Sequence, residues 1–514
     1  MSAWSTRESE ELYNVPVWGD PFFSIDERGH LVVAPEGREG GQVDLPELIG
    51  QIRRRGVAAP ILLRFDGILR ARARQLNAAF NNARREYDYR APYRGVFPIK
   101  VNQERHVVEA LLAEGRSYGM GLEVGSKPEL IAGIAIQAGE GTLLICNGYK
   151  DAEYVEMALL ASHLGITAVV VIEKLTELDT VLEASRRLGI RPVIGVRSKL
   201  TMKSSGRWQD SVGDRSKFGL TAREIVEVTE RLKAEDMLDC LRLLHFHIGS
   251  QIAQIRSIKQ AMREATNIFV GLTSIGCSID WMDVGGGLGV DYEGNAAASD
   301  SSMNYSLQEY ANDVVWSLAE CCRKHGLKQP TIVTESGRAL AAHHAILVAE
   351  VVGTSTFEGT HDPLPVTKDS HEVVRELAAL AGTVTVENAQ ECYHDAMDTR
   401  EKAGLLFETG QLDLVGRGQM EEQYWRVIRA IVAATREMEL VPEGMQGLEQ
   451  AMADTFFVNM SVFQSMPDSW AIGQVFPVMP LQRLEEERAR RAVLAGLHWV
   501  SDGKICRFLD VQGT

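Results

Sequence analysis

The sequence has no Cys-x-x-Cys pair, no apolar run long enough to cross a bilayer and no excess of positive charge. Its seven cysteines, Cys146, Cys240, Cys277, Cys321, Cys322, Cys392 and Cys506, are odd in number and scattered, which argues against a disulfide framework or a thiolate zinc site. Such usage fits a reducing compartment. With 70 acidic residues against 54 basic ones, the formal net charge of −16 argues against a broad nucleic-acid face or an anionic-membrane surface. The opening MSAWSTRESEELYNVPVWGD is polar and acidic, unlike a secretory or organellar leader. A soluble, cytoplasmic protein is expected, with small molecules or other protein chains as partners.

What is present is a strict alternation. From residue 60 to about 340, short β-branched runs (PILLRFD, GVFPIKV, GMGLEVG, TLLICNG, TAVVVIE, RPVIGVR, LRLLHFHIG, SIDWMDVGGG, TIVTESG) alternate with amphipathic helical stretches such as ERHVVEALLAEG. That is the pattern of βαβ units around a parallel sheet. The last eight of the nine runs are assigned to a (β/α)₈ barrel, over residues 67–345. The first run and the N-terminal segment, residues 1–66, are given to a second, β-sandwich-like domain. ILVAEVVG (346–353) reads as a strand leaving the barrel for that same sheet, followed by a boundary loop to residue 370. Residues 371–454 read as an all-α insertion, with Trp425, Ile428, Ile431 and Val432 on one helical face. Residues 455–514 return to strand texture in TFFVNMSVFQ and AVLAGLHWV and complete the β-domain only in part.

The polar residues of the barrel runs sit at strand C-termini: Lys100, Glu123, Asn147, Arg197, His247 with Ser250, Asp283 before Gly285, Gly286 and Gly287, and Glu335 with Arg338. That end is where barrel enzymes build their active sites. The triple glycine suits close backbone approach to a phosphate; it fails the dinucleotide fingerprint, whose third glycine falls on Val290, and a tight turn explains it equally well when taken alone. A strand-end lysine, an imidazole, a carboxylate and a phosphate cradle on one face are the groups pyridoxal 5′-phosphate requires. Lys100 is the candidate for covalent attachment and Glu335 for the partner of the ring nitrogen. His247 is the candidate for stacking on the ring, with His245 expected on the opposite face.

FPIKVNQ, LEVGSKPEL, CNGYKD, SKFGL, LHFHIGSQ, DVGGGLGVDYEG and TESGRA, in this order and spacing, resemble the biosynthetic arginine decarboxylases, within the fold-type III pyridoxal-phosphate decarboxylases. The resemblance implies a cofactor-binding barrel with a β-domain and a helical insertion, and assembly as a homodimer or larger with active sites at the subunit interface. It also implies decarboxylation of L-arginine to agmatine in polyamine biosynthesis, and a magnesium dependence for which no motif is found. By the same resemblance Lys100 carries the cofactor, His247 stacks on it, and Ser250 with Gly285, Gly286 and Gly287 cradles its phosphate near Gly337 and Arg338. Glu335 pairs with the ring nitrogen. Asp283 is assigned to substrate, with Glu123, Asn147 and Arg197 in support. FQSMPDSW offers Asp468 as a partner for a guanidinium.

The chain departs from the family at GLHWVSDGK. Ser501, Asp502 and Gly503 are in place, but Trp499 and Val500 stand where the family carries a Cys-Asp pair, supplied across the dimer interface, that protonates the carbanion and helps grip the substrate. The chain also stops at Thr514, before the family's C-terminal portion. Two further readings therefore stand beside the first: a pyridoxal-phosphate decarboxylase or transaminase-like enzyme acting on another amino acid, and a paralogue serving as a binding or regulatory subunit.

Overall fold

The structure, a computed structural model, describes residues 4–38, 40–137, 139, 141–201, 216–356, 363–488, 490–499 and 502–508. It divides into two compact units, one mainly residues 4–348 and 474–486, the other mainly 349–473 and 487–508.

In the first unit, β1 (Phe23–Ile25), β2 (Leu31–Val33) and β3 (Val43–Asp44) form an antiparallel sheet, and β4 (Ile61–Arg64) leads into the barrel. The eight barrel strands are β5 (Tyr93–Pro98), β6 (Gly121–Val124), β7 (Thr142–Cys146), β8 (Ile166–Ile172), β9 (Val193–Arg197), β10 (Leu241–His245), β11 (Trp281–Asp283) and β12 (Thr331–Thr334). All eight pairings are parallel, and β12 closes on β5. Helix limits are set locally: Ser306 and Glu309 form a capping box at the start of Leu307–His325, and Gly326 ends that helix in the left-handed region.

Because side chains alternate across a strand, each apolar run divides into an outer and an inner set. Leu144, Cys146, Val170, Ile172, Ile194, Val196, Leu244, Met282 and Ile332 face outward into the core shared with the helices. Val96, Leu143, Ile145, Val169, Val171, Leu243 and Val333 fill the barrel interior. Carrying the inner parity to the strand C-termini names Lys100, Glu123, Asn147, Glu173, Arg197, His245, Asp283 and Glu335, one polar residue from each strand. An apolar barrel interior thus ends in a polar layer.

Beyond the barrel, β13 (Ala345–Val348) pairs with β4, and β14 (Val351–Ser355) opens the second unit. The expected continuous strand 346–353 is therefore two, and the N-terminal strands do not join the C-terminal ones in one sheet. β1 to β3 are instead held in the first unit by a core of Val15, Phe22, Leu31, Val33, Leu45, Phe65 and Ile68, to which the returning Leu484 contributes. In the second unit β14 joins β15 (Asp454–Val458), β16 (Ala492–Gly496) and β17 (Lys504–Ile505) in a four-stranded sheet. β15 stops short of the expected 464, since Ser461 accepts from the Gln464 N–H at 3.1 Å and caps a short helix. The helices Glu372–Leu380, Ala389–Glu408 and Leu414–Thr435 share a core of their own around Val373, Leu377, Val427, Ile428 and Ile431. Residues 357–362 of the expected boundary loop lie outside the described residues. No helix among the described residues is long and apolar enough to cross a membrane.

Candidate active site

The polar layer is a connected set. Lys100, on the turn Ile99–Val101 after β5, lies 3.3 Å from Glu123 Oε2. Asn147 Nδ2 donates to Glu335 Oε1 at 2.7 Å. His245 Nδ1 approaches Asp283 Oδ2 to 3.0 Å and Glu335 Oε1 to 3.9 Å, while Arg197 donates to Glu173 Oε1 at 2.5 Å. His245 is thus in the layer. It shares a face with His247, two positions on, because two residues make one full period of a strand; the expected opposite face was a parity error. Glu173 was likewise absent from the sequence candidates, although its place two residues beyond Val171 was the signal.

Burial sets the electrostatics. It pushes the Glu123 carboxyl up to about 7, with the neighbouring Glu335 adding to the shift and Lys100 opposing it. It pushes Asp283 up to about 7 as well, against the Gly285 N–H that donates to Asp283 Oδ1 at 2.9 Å. For Lys100, burial disfavours the charge, but Glu123 and Glu335 outweigh it and hold the amine above its usual range. Glu335 is raised by burial and by Asp283.

A folded Glu123 that keeps its proton to about pH 7 binds more protons than the unfolded chain, whose glutamates ionise near pH ~4.3. Stability therefore falls as pH rises between those values. Without cofactor, Glu123→Gln should melt several degrees higher than wild type at pH 8, an effect on the order of 3 kcal/mol, and the difference should vanish near pH 4. Thermal unfolding at both pH values checks it.

Beside this layer runs a backbone cradle. Gly285 and Gly287 have φ of 69° and 107°, and a Cβ on Gly286 would stand 3.0 Å from the Glu335 carbonyl oxygen. Gly286 N–H donates to His247 Nδ1 at 3.2 Å, and Ile252 N–H to the Gly287 carbonyl at 2.9 Å. Arg338, oriented by the Tyr292 hydroxyl at 3.0 Å, donates to Ser250 Oγ at 3.2 Å. At Gly337 a Cβ would stand 2.6 Å from Val101 Cγ2, so only glycine lets the Lys100 turn pack there without displacement.

This set fits pyridoxal phosphate: a guanidinium and a hydroxyl beside side-chain-free backbone suit the phosphate, and buried carboxylates suit a protonated ring nitrogen. Glu123 Oε1 and Asn147 Oδ1 have no hydrogen-bond partner, which marks the layer as built for a polar occupant. Asp283, expected to touch substrate, is fully buried and bonded to the glycine turn, a position that suits holding the cradle. Asp468 belongs to the second unit, exposed on the helix Pro467–Ala471. Trp499, in that unit, is 96% exposed, and Val500 and Ser501 lie outside the described residues.

Residues 73–342 match the pyridoxal binding domain of the pyridoxal-dependent decarboxylases, and residues 367–449 the arginine decarboxylase helical bundle domain. The chain is 48% identical over 512 residues to the biosynthetic arginine decarboxylase of Gloeobacter violaceus, covering 100% of this chain and 79% of that one. To that of Bacteroides thetaiotaomicron it is 45% identical, covering 100% and 81%. The crystal structure of the biosynthetic arginine decarboxylase from Campylobacter jejuni superposes with a TM-score of 0.84 at 33% identity, covering 96% of this chain and 79% of that chain.

Proposed function

The chain belongs to the biosynthetic arginine decarboxylases of the pyridoxal-dependent decarboxylase family, and from that premise we propose that it removes the α-carboxylate of L-arginine as CO₂, giving agmatine for polyamine biosynthesis. The observation that carries this reading is the polar layer, one residue from each barrel strand, with the glycine cradle beside it. Bound pyridoxal phosphate supplies an electron sink for the electrons left behind when CO₂ departs.

The residues divide the rest of the work. Lys100 is the covalent anchor, its amine kept cationic by Glu123 until it reacts. Ser250, Arg338 and the N–H groups of Gly285 to Gly287 neutralise and position the phosphate. Glu335, steadied by Asn147, holds a proton on the ring nitrogen. His247 accepts from Gly286 at Nδ1, so its own proton sits on Nε2 and its ring plane is set for stacking. Magnesium and assembly as a homodimer or larger enter this reading through the family alone.

A second reading is favoured by one observation. Trp499 stands where the resemblance implies the cysteine of the Cys-Asp pair, and an indole N–H neither delivers a proton readily nor binds a cation by charge. On this reading the barrel holds the cofactor but acts on another amino acid, or serves as a regulatory subunit. The purified chain, reconstituted with pyridoxal phosphate, should absorb in the visible and release ¹⁴CO₂ faster from carboxyl-labelled arginine than from ornithine, lysine or diaminopimelate. Colour without CO₂ release from arginine would favour the second reading, and a colourless protein would overturn both enzyme readings.

A further inference from the structure

Two members of the polar layer, Glu173 and Arg197, belong with Lys150 and Glu177 to a set of four fully or largely buried charges to which the proposed chemistry gives no role. Lys150, in the loop after β7, has a side chain with no exposure. Its Nζ donates to the Gly148 carbonyl at 2.6 Å and to Glu177 Oε2 at 3.4 Å, and lies 3.9 Å from Glu173 Oε2. Glu177 Oε2 also accepts the Glu173 N–H at 2.9 Å, and Glu173 Oε1 accepts from Arg197 at 2.5 Å. Two cations meet two carboxylates, so the group is neutral, the condition under which buried charges are tolerable. Gly148, at φ 75°, makes the turn possible: a Cβ there would stand 2.4 Å from the Gly125 carbonyl oxygen.

The set runs along the barrel rim in the order of the strands. Lys150 follows β7, Glu173 and Glu177 follow β8, and Arg197 ends β9. Arg197 is in turn the register partner of His245 on β10, and Ser198 N–H donates to the His245 carbonyl at 2.8 Å. The chain of charges therefore ends beside the histidine pair of the active site.

We propose that Lys150 and Glu173 are positioning residues that aim the Arg197 guanidinium at the His245–His247 end of the cofactor layer and balance its charge there. The charges that act on His247 are those of Arg197, His245 and Lys100, all cationic or potentially so, while the Gly286 N–H donates to its Nδ1 at 3.2 Å. With burial they hold its imidazole neutral, well below the usual histidine range, and the neutral ring is the form that accepts from Gly286. Removing the Lys150 charge leaves Glu177 uncompensated, and its negative field, reaching along the set, makes protonation of His247 easier. The inference rests on the proposed reaction for its catalytic consequence only; the electrostatic claim concerns the protein without cofactor.

The test is the ¹⁵N spectrum of the full-length, histidine-labelled chain without cofactor, from pH 5 to 8, with His247 assigned by its loss in His247→Gln. In wild type His247 should stay neutral throughout. In Lys150→Met its midpoint should rise into that pH range, and Lys150→Arg should behave as wild type. In the reconstituted enzyme, kcat/KM of Lys150→Met should then fall from pH 8 toward pH 6 by more than any change in wild type. An unaltered His247 titration in Lys150→Met, or a wild-type His247 that titrates near pH 6.5, would overturn the proposal. Should Lys150→Met not fold, Arg197→Gln makes the same prediction, and an unaltered titration there is equally decisive. Loss of arginine turnover with the predicted titrations intact would instead count against the proposed reaction.

Discussion

Lys100→Ala should abolish the visible absorbance of the reconstituted protein and lower CO₂ release by roughly 10⁴-fold or more, the scale on which removal of a covalent catalyst is felt. Lys100 is also a charge beside Glu123, so the alanine variant alone would not separate two roles. Lys100→Arg does. It keeps a cation facing the carboxylate, but a guanidinium does not deprotonate in proteins and cannot take the amine's part. The arginine variant should therefore be as colourless and inactive as the alanine one. Colour and turnover in Lys100→Arg would show that the position serves only as a counter-charge.

The second large effect concerns backbone. Gly285→Ala should weaken pyridoxal phosphate binding by a hundredfold or more, measured by spectroscopic titration. Its φ of 69° is a conformation costing an L-residue about 1–2 kcal/mol, and the new Cβ would stand 2.3 Å from the Phe246 carbonyl oxygen. That oxygen has little freedom to retreat, because Phe246 N–H is bonded to the Asp283 carbonyl at 3.2 Å across the neighbouring strand. The glycine loop must give instead, taking with it the Gly286 N–H that orients His247. At Gly287 a Cβ would meet Ile252 Cγ1 at 2.9 Å and the Gly249 carbonyl oxygen at 3.0 Å, both looser than the 2.3 Å contact at Gly285. Gly287→Ala should therefore cost less than Gly285→Ala. Equal affinity of Gly285→Ala and wild type would remove the glycine loop from the binding site.

Much of the barrel was legible because a parallel strand covered on both faces must be a near-continuous apolar run, and eight such runs alternate with helices between 93 and 334. Most of the polar layer was legible for a related reason: Lys100, Glu123, Asn147, Arg197, Asp283 and Glu335 interrupt those runs at their ends. His245 and Glu173 were open to the same reading by counting inward positions. The course of strands outside the barrel was harder. Nothing in ILVAEVVG signals that Ala345–Val348 pairs back onto Ile61–Arg64 while Val351–Ser355 pairs with Asp454–Val458, since short edge strands carry little periodicity and their partners are distant in sequence.

By itself the sequence determined the alternation of strand and helix, the single polar end of the barrel and the glycines of the cradle, because each follows from local periodicity or from a missing side chain. Only the tertiary structure decided that Gly337 makes room for the Lys100 turn, and that Lys150, Glu173, Glu177 and Arg197 form one neutral buried set. Those are contacts between residues tens to hundreds of positions apart. Burial converts their charges from solvated surface groups into interacting ones, and burial is a property of the closed barrel.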